Sequence, residues 1–267
     1  MNILIPMAGD GSRFAKKGYT VHKPILPLTC RFSRKIVPLV VGAVQDIPVD
    51  LERDDVNLLF IMRDFHMADG VDQELLRHFP RAKFIAIDAL SDGQASTCLH
   101  ARLQFDVDVP LMIAACDNGM DIPRATFERR SRDAEALIFT FRGNESVVEN
   151  PESYGWVHAS GEIATNISIK LPISCTPLED HAVVGTFWFK NGRDFFTAAD
   201  KMIAANDQIN GEFYVDQIFK YLLDLGRDVR VIEVDRYLCW GTPEDYEAYE
   251  ATLAYWMSFA SKEEWIK

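Results

Sequence analysis

The sequence has no cysteine pair of the CxxC type; Cys30, Cys98, Cys116, Cys175 and Cys239 are scattered and odd in number. That excludes a disulfide framework and a zinc cluster, and it predicts a reduced, cytoplasmic setting. No apolar run approaches the roughly 20 residues that a membrane-spanning helix needs. The N-terminal MNILIPMAG lacks the basic stretch of a secretory leader. Positive charge is also scarce: 28 Lys and Arg against 40 Asp and Glu leave a net charge of −12. A surface that wraps nucleic acid needs the opposite balance. A few cations gathered in one cleft, together with a bound divalent ion, remain compatible with a nucleotide substrate.

What is present reads as an enzyme-sized α/β chain. At 267 residues it buries enough apolar surface to fold without staples. Apolar runs at Asn2–Pro6, Asn57–Met62, Lys83–Ile87 and Leu111–Ala115 are strand candidates. Helical stretches near Ile36–Val44, Met67–Phe79 and Gln94–Phe105 lie between them. This βαβα succession predicts a parallel, doubly wound sheet. After residue 135 strands predominate: Ala136–Phe141, Gly155–His158, Ile163–Lys170 and Val183–Lys190. Helices near Asp194–Ala205 and Tyr214–Leu225, a strand at Val229–Val234 and a helix at Pro243–Met257 complete the chain. With no repeat or linker in view, one domain with two unequal halves, 1–135 and 136–267, is expected.

The strongest local feature is Ala8-Gly9-Asp10-Gly11-Ser12-Arg13-Phe14, directly after the first strand. Glycine there lets the backbone turn tightly and offer N–H groups to phosphate oxygens. An ordinary strand-to-helix turn is the plainer alternative. A dinucleotide fingerprint would need glycine where Phe14 stands, and a P-loop would need a wider glycine spacing followed by Lys-Ser/Thr. Ten residues beyond Arg13 comes Lys23-Pro24. Arginine grips phosphate oxygens through its planar fork, and lysine acts as a point charge.

Together Pro6–Phe14, Gly18-Tyr19 and Lys23-Pro24 resemble the signature of the sugar-phosphate nucleotidylyltransferases. That resemblance implies a single Rossmann-like, GT-A-type domain with a central mixed, mostly parallel sheet flanked by helices. It also implies that Ala8, Gly9, Gly11, Ser12 and Arg13 cradle a triphosphate and that Lys23 contacts the α-phosphate. Later segments follow in the family's order. Ser91–Ser96 (SDGQAS) matches the base-reading segment: Gly93 can lie flat under a base and the Gln94 amide can pair with its edge. A helix start capped by Ser91 or Asp92 is the alternative. Cys116-Asp117-Asn118 follows LMIAA, and a carboxylate at the carboxyl end of a parallel strand faces the ligand crevice as a hard ligand for Mg²⁺, a solvated loop aspartate being the alternative. Asn118, Tyr154-Gly155, Lys170, Gly185 and Glu212 are the acceptor-binding positions that the resemblance implies, with Lys170 on the acceptor's phosphate. Gly241-Thr242-Pro243-Glu244-Asp245 resembles the family's closing turn.

Two positions depart from the pattern. Cys239 stands where the family carries a second metal aspartate, and a neutral thiol is a poor Mg²⁺ ligand; either Asp117 and the triphosphate hold the metal with water, or a neighbour such as Asp235 or Asp216 substitutes. Ile169 replaces a glutamate that binds sugar hydroxyls, which points towards an unusual sugar phosphate or another phosphomonoester. The expected reaction joins an NTP, with a pyrimidine base favoured, to such an acceptor with release of pyrophosphate, serving surface polysaccharide or capsule precursors. Catalysis is assigned to Arg13, Lys23 and Lys170, with Asp117 holding Mg²⁺. Two other classes compete: a GT-A-type glycosyltransferase, whose DxD motif would have to be Asp106-Val107-Asp108, and a non-catalytic nucleotide sensor, suggested by Cys239. Tyr246, Tyr249, Leu253 and Trp256 are spaced as a helical stripe, read as core packing with a homo-oligomer contact as the alternative.

Overall fold

The computed structural model of the protein describes residues 1–262. Its strands are β1 (Asn2–Pro6), β2 (Pro27–Thr29), β3 (Ile36–Pro38), β4 (Asn57–Arg63), β5 (Lys83–Ile87), β6 (Leu111–Ile113) and β7 (Asn118–Asp121) in the first half. The second half adds β8 (Ala136–Phe141), β9 (Gly155–Ser160), β10 (Ile163–Ile169), β11 (His181–Phe189), β12 (Val229–Glu233) and β13 (Arg236–Cys239). Nine of these form one sheet in the order β5-β4-β1-β6-β11-β8-β12-β10-β9.

The sheet is mixed, as expected, but not mostly parallel. β1, β4, β5 and β6 are mutually parallel, and β12 runs parallel to β8. Every pairing of β11 and of β10 is antiparallel. The cause is local. Helical crossovers join the early strands, whereas β9 and β10 are joined by a turn at Gly161, whose φ of 60° suits the tight reversal of a hairpin. β9 also pairs with β11, so the last five strands of the order close on themselves.

β1 is buried along its whole length, as a strand covered on both faces must be. One hydrophobic cluster, including Ile3, Ile5, Val41, Phe60, Phe139 and Trp188, fills one side of the sheet. A second, including Leu4, Ile61, Ile113, Phe187, Phe195 and Phe219, fills the other. A third joins Phe14, Leu28, Leu39, Trp240 and Tyr246, fastening the helix after the glycine loop to the C-terminal helix Pro243–Lys262. Tyr246 and Tyr249 of the aromatic stripe pack there, while Trp256 is 58% exposed.

Several elements differ from the periodicity. The long helix expected over Met67–Phe79 is two short ones, Asp64–Ala68 and Val71–Leu76, divided at Gly70 with φ 75°. That over Gln94–Phe105 ends at Leu99, that over Tyr214–Leu225 is Ile218–Asp224, and Ile36–Pro38 is a strand. The β7–β13 ribbon, unmarked in the sequence, pairs Cys239 with Asn118. All five cysteines are free, and no helix among the described residues is long and apolar enough to cross a membrane.

Candidate active site

The glycine loop leaves the carboxyl end of β1, between β4 and β6. Among the described residues, the backbone of residues 8–10 makes no hydrogen bond within the protein, so its amides stay available to a ligand. Gly11 then turns left-handed, φ 61°, ahead of the helix Ser12–Lys16. Pro24 fits the first turn of the short helix Lys23–Ile25, because it needs no N–H donor there. Lys23 projects from its start.

Lys23 Nζ donates to Asp117 Oδ2 at 2.5 Å and to the Gly241 carbonyl at 3.0 Å. Burial alone would lower the Lys23 ammonium, but the Asp117 charge and its hydrogen bond offset it, and the Lys23 pKa is raised. Burial likewise works to raise Asp117, while Lys23 and then Arg13 outweigh it and hold the carboxyl below its ordinary value. The pair is therefore ionised at neutral pH.

Two cavities meet at Asp117, and Lys23 lines one of them. The first, about 460 Å³, is lined by the loop from Pro6 to Phe14, Lys23, Gly93, Gln94, Asp117 and Glu212. The second, about 540 Å³, is lined by Asn118, Tyr154, Gly155, Lys170, Gly185, Tyr214, Asp216 and Cys239. Arg13, Gln94, Ala115, Asp117 and Gly241 belong to both, so the cavities are two chambers of one cleft. Every residue singled out for the nucleotide lies in the first chamber. Of those singled out for the acceptor, Asn118, Tyr154, Gly155, Lys170 and Gly185 lie in the second. Glu212 faces the first chamber instead, because its segment folds back over Gly93: Phe213 N–H donates to the Asp92 carbonyl, and Ala95 N–H to that of Phe213.

In the second chamber, Gly185 with φ 94° sits where β11 breaks register between Val183 and Phe187. Asn118 Nδ2 donates to the Val184 carbonyl at that bend. Lys170 is held in the left-handed region at φ 59°, which is strained for a side chain of this kind. Its Nζ donates to the Ser153 carbonyl at 2.6 Å and lies 5.4 Å from the Tyr214 ring centre. Burial lowers its pKa. Asp216 packs so closely on Gly155 that a Cβ there would stand 2.0 Å from its Oδ2. Burial pushes Asp216 up to about 6, against the pull of the Lys170 charge.

Cys239 Sγ donates to Asp245 Oδ2 at 3.3 Å, and the Thr242 hydroxyl to the same oxygen at 2.6 Å. Burial, with the Asp245 charge, pushes the thiol up to about 12, so it is neutral. Of the substitutes considered for the missing metal aspartate, Asp235 lines a separate hollow with Arg31 and Asp121, and Asp216 lies beside Lys170. Asp245, six residues after Cys239, carried no sequence signal beyond its place in the closing turn. Tyr214 and Tyr237 were equally silent. Among the described residues no cluster of three or more His, Cys, Asp or Glu is placed to hold a metal. Asp117 alone, completed by substrate oxygens and water, is a donor set that suits Mg²⁺, which keeps much of its hydration shell.

The fold is shared with solved nucleotidyltransferases. A nucleoside-diphosphate-sugar pyrophosphorylase from Vibrio cholerae superposes with a TM-score of 0.74 at 21% identity, covering 92% of this chain and 98% of that one. A chain assigned as a glucose-1-phosphate thymidylyltransferase from Bacillus anthracis gives 0.72 at 18% identity, covering 95% of each. An inositol-1-phosphate CTP transferase from T. maritima gives 0.65 at 12% identity, covering 93% of each. At such identities the likeness establishes the fold, with nearly end-to-end correspondence. No protein-family model matches the sequence, and no curated protein matches it.

Proposed function

We propose that the protein is a nucleotidyltransferase that joins a nucleoside triphosphate to a phosphorylated small molecule and releases pyrophosphate. The observation that carries this reading is Asp117, paired with Lys23 of the first chamber and shared, with Arg13, between the two chambers. One chamber has a glycine loop with free amides, and the other a lysine beside a lining of Tyr, Ser and Asn groups. A reaction between two phosphates needs this arrangement: anions held on both sides of one point, with little covalent work asked of the protein.

In the mechanism an oxygen of the acceptor's phosphate bonds to the α-phosphorus, the bond from that phosphorus to the bridging α–β oxygen breaks, and pyrophosphate leaves from the opposite side. Lys170 aims the acceptor phosphate. Lys23, displaced from Asp117 by the incoming ligands, steadies the α-phosphate, and Arg13 with the amides of residues 8–12 steadies the leaving group. Asp117 would hold Mg²⁺, which supplies charge neutralisation across the phosphates. Gly93 and Gln94 would meet the base, for which a pyrimidine nucleotide is favoured. Residues 1–135 then form the nucleotide half and 136–267 the acceptor half. A cytoplasmic role in surface polysaccharide or capsule precursor synthesis fits this chemistry.

The acceptor side is less suited to an ordinary hexose phosphate, since Ile169 is buried and offers no hydroxyl partner. The sensor alternative keeps one supporting observation, the neutral Cys239 in the place of a metal carboxylate. The glycosyltransferase alternative has none: Asp108 is bound by Arg193 at 2.7 and 2.6 Å and lines neither chamber. Pyrophosphate release across CTP, UTP and dTTP with sugar phosphates and other phosphomonoesters tests the proposal. Lys23→Ala and Asp117→Ala should each abolish turnover; intact turnover in either would refute the assigned roles.

A further inference from the structure

The glycine loop carries an acidic residue, Asp10, at its tip, where a triphosphate would meet unwelcome negative charge. Asp10 is 56% exposed, and among the described residues its side chain is partnered by Arg63 Nη1 at 3.2 Å. Arg63 ends β4, the strand beside β1, and its side chain is only 15% exposed. Its Nη2 donates to the Asp88 carbonyl at 3.2 Å, after the end of β5, and its guanidinium carbon lies 5.3 Å from the Phe65 ring centre. Its Nε is buried and has no hydrogen-bond partner. Leaving a buried donor unpaired is costly, so stability alone is a poor reason for this placement. Among the described residues, residues 8–10 have no backbone hydrogen bond of their own, and the Asp10–Arg63 contact is the polar tether of that stretch. Arg63 lines neither chamber, so it reaches a ligand only through Asp10.

We infer that Arg63 is a positioning residue: anchored on the ends of β4 and β5, it holds the glycine loop in its ligand-ready form and cancels the Asp10 charge. This rests on the reading of the loop as a triphosphate cradle. Two measurements separate the inference from that reading: NMR order parameters of the amides of residues 8–11 in the free protein, and calorimetric Kd values for the magnesium complexes of CTP, UTP and dTTP. Arg63→Ala should lower those order parameters and weaken nucleotide binding by roughly three- to ten-fold, the range for a charged hydrogen bond of partial exposure. Arg63→Lys should restore part of both, and in an Asp10→Ala background, which removes the acceptor as well as the charge, Arg63→Ala should add nothing. Unchanged loop order parameters, or an Arg63→Ala effect on Kd that persists without the Asp10 side chain, overturns the inference. A loosened loop with no nucleotide binding by any variant, the unsubstituted protein included, refutes the triphosphate reading and with it Arg63's part in it.

Discussion

Replacing Gly93 by alanine puts a Cβ 2.6 Å from both the backbone N and the backbone O of Phe213. Neither atom is free to retreat. The Phe213 N–H is committed to the Asp92 carbonyl at 2.8 Å, and the Phe213 carbonyl accepts from Ala95 N–H at 3.0 Å. Gly93 itself has φ 98° and ψ 174°, a region that side-chain-bearing residues scarcely enter. That conformation costs an alanine about 1–3 kcal/mol, and loss of the two hydrogen bonds adds about 1 kcal/mol each. The sum, about 3–5 kcal/mol, is a large part of a stability on the order of 5–15 kcal/mol. It corresponds to a fall of roughly 10 °C in Tm. Gly143→Ala is the matched control: its φ is also positive, 69°, but nothing lies within 4 Å of the new methyl. It should cost about 1 kcal/mol. Urea unfolding of both variants measures the difference. Equal midpoints with equal slopes would refute the packing of the 211–213 segment on Gly93, and with it the placement of Glu212 in the first chamber.

Asp216 is expected to shape stability against pH. Its folded pKa of about 6 lies above the ordinary 3.8, so the folded state binds the proton more tightly, and stability falls as pH rises from about 4 to 6. The contribution is at most about 3 kcal/mol, and Asp216→Asn should flatten that limb of the urea-midpoint profile. Lys170→Ala should raise the acceptor KM by about ten- to a hundred-fold, the weight of a charge-assisted bond, while nucleotide Kd stays within about two-fold. Mg²⁺ alone should barely shift Tm, because Lys23 occupies Asp117; Mg²⁺ with CTP should shift it by more than the two separate effects combined.

The first half of the fold was largely legible because its strands are continuous apolar runs and its loop carries Gly11, whose left-handed backbone has few other tenants. Helix ends were less so: Gly70 divides one expected helix, and no periodicity announces that. The acceptor side was read by motif, and its close contacts were not. Asp216 against Gly155, and Cys239 opposite Asn118, join residues tens to more than a hundred positions apart, brought together by the closure of β9 on β11 and by the β7–β13 ribbon. Nor did the apolar patterning reveal the antiparallel pairings of β11, because a strand buried on both faces looks alike in either direction.

Pyrophosphate release is the most direct measure of the proposed reaction. The purified protein, with Mg²⁺, would be offered each of CTP, UTP and dTTP against a panel of sugar phosphates and non-sugar phosphomonoesters. The predicted result is pyrophosphate formed in step with a nucleoside diphosphate conjugate for at least one pair, and lost in Lys23→Ala and Asp117→Ala. Tight nucleotide binding with no pyrophosphate from any pair would contradict it and leave a protein that holds nucleotide without transferring it.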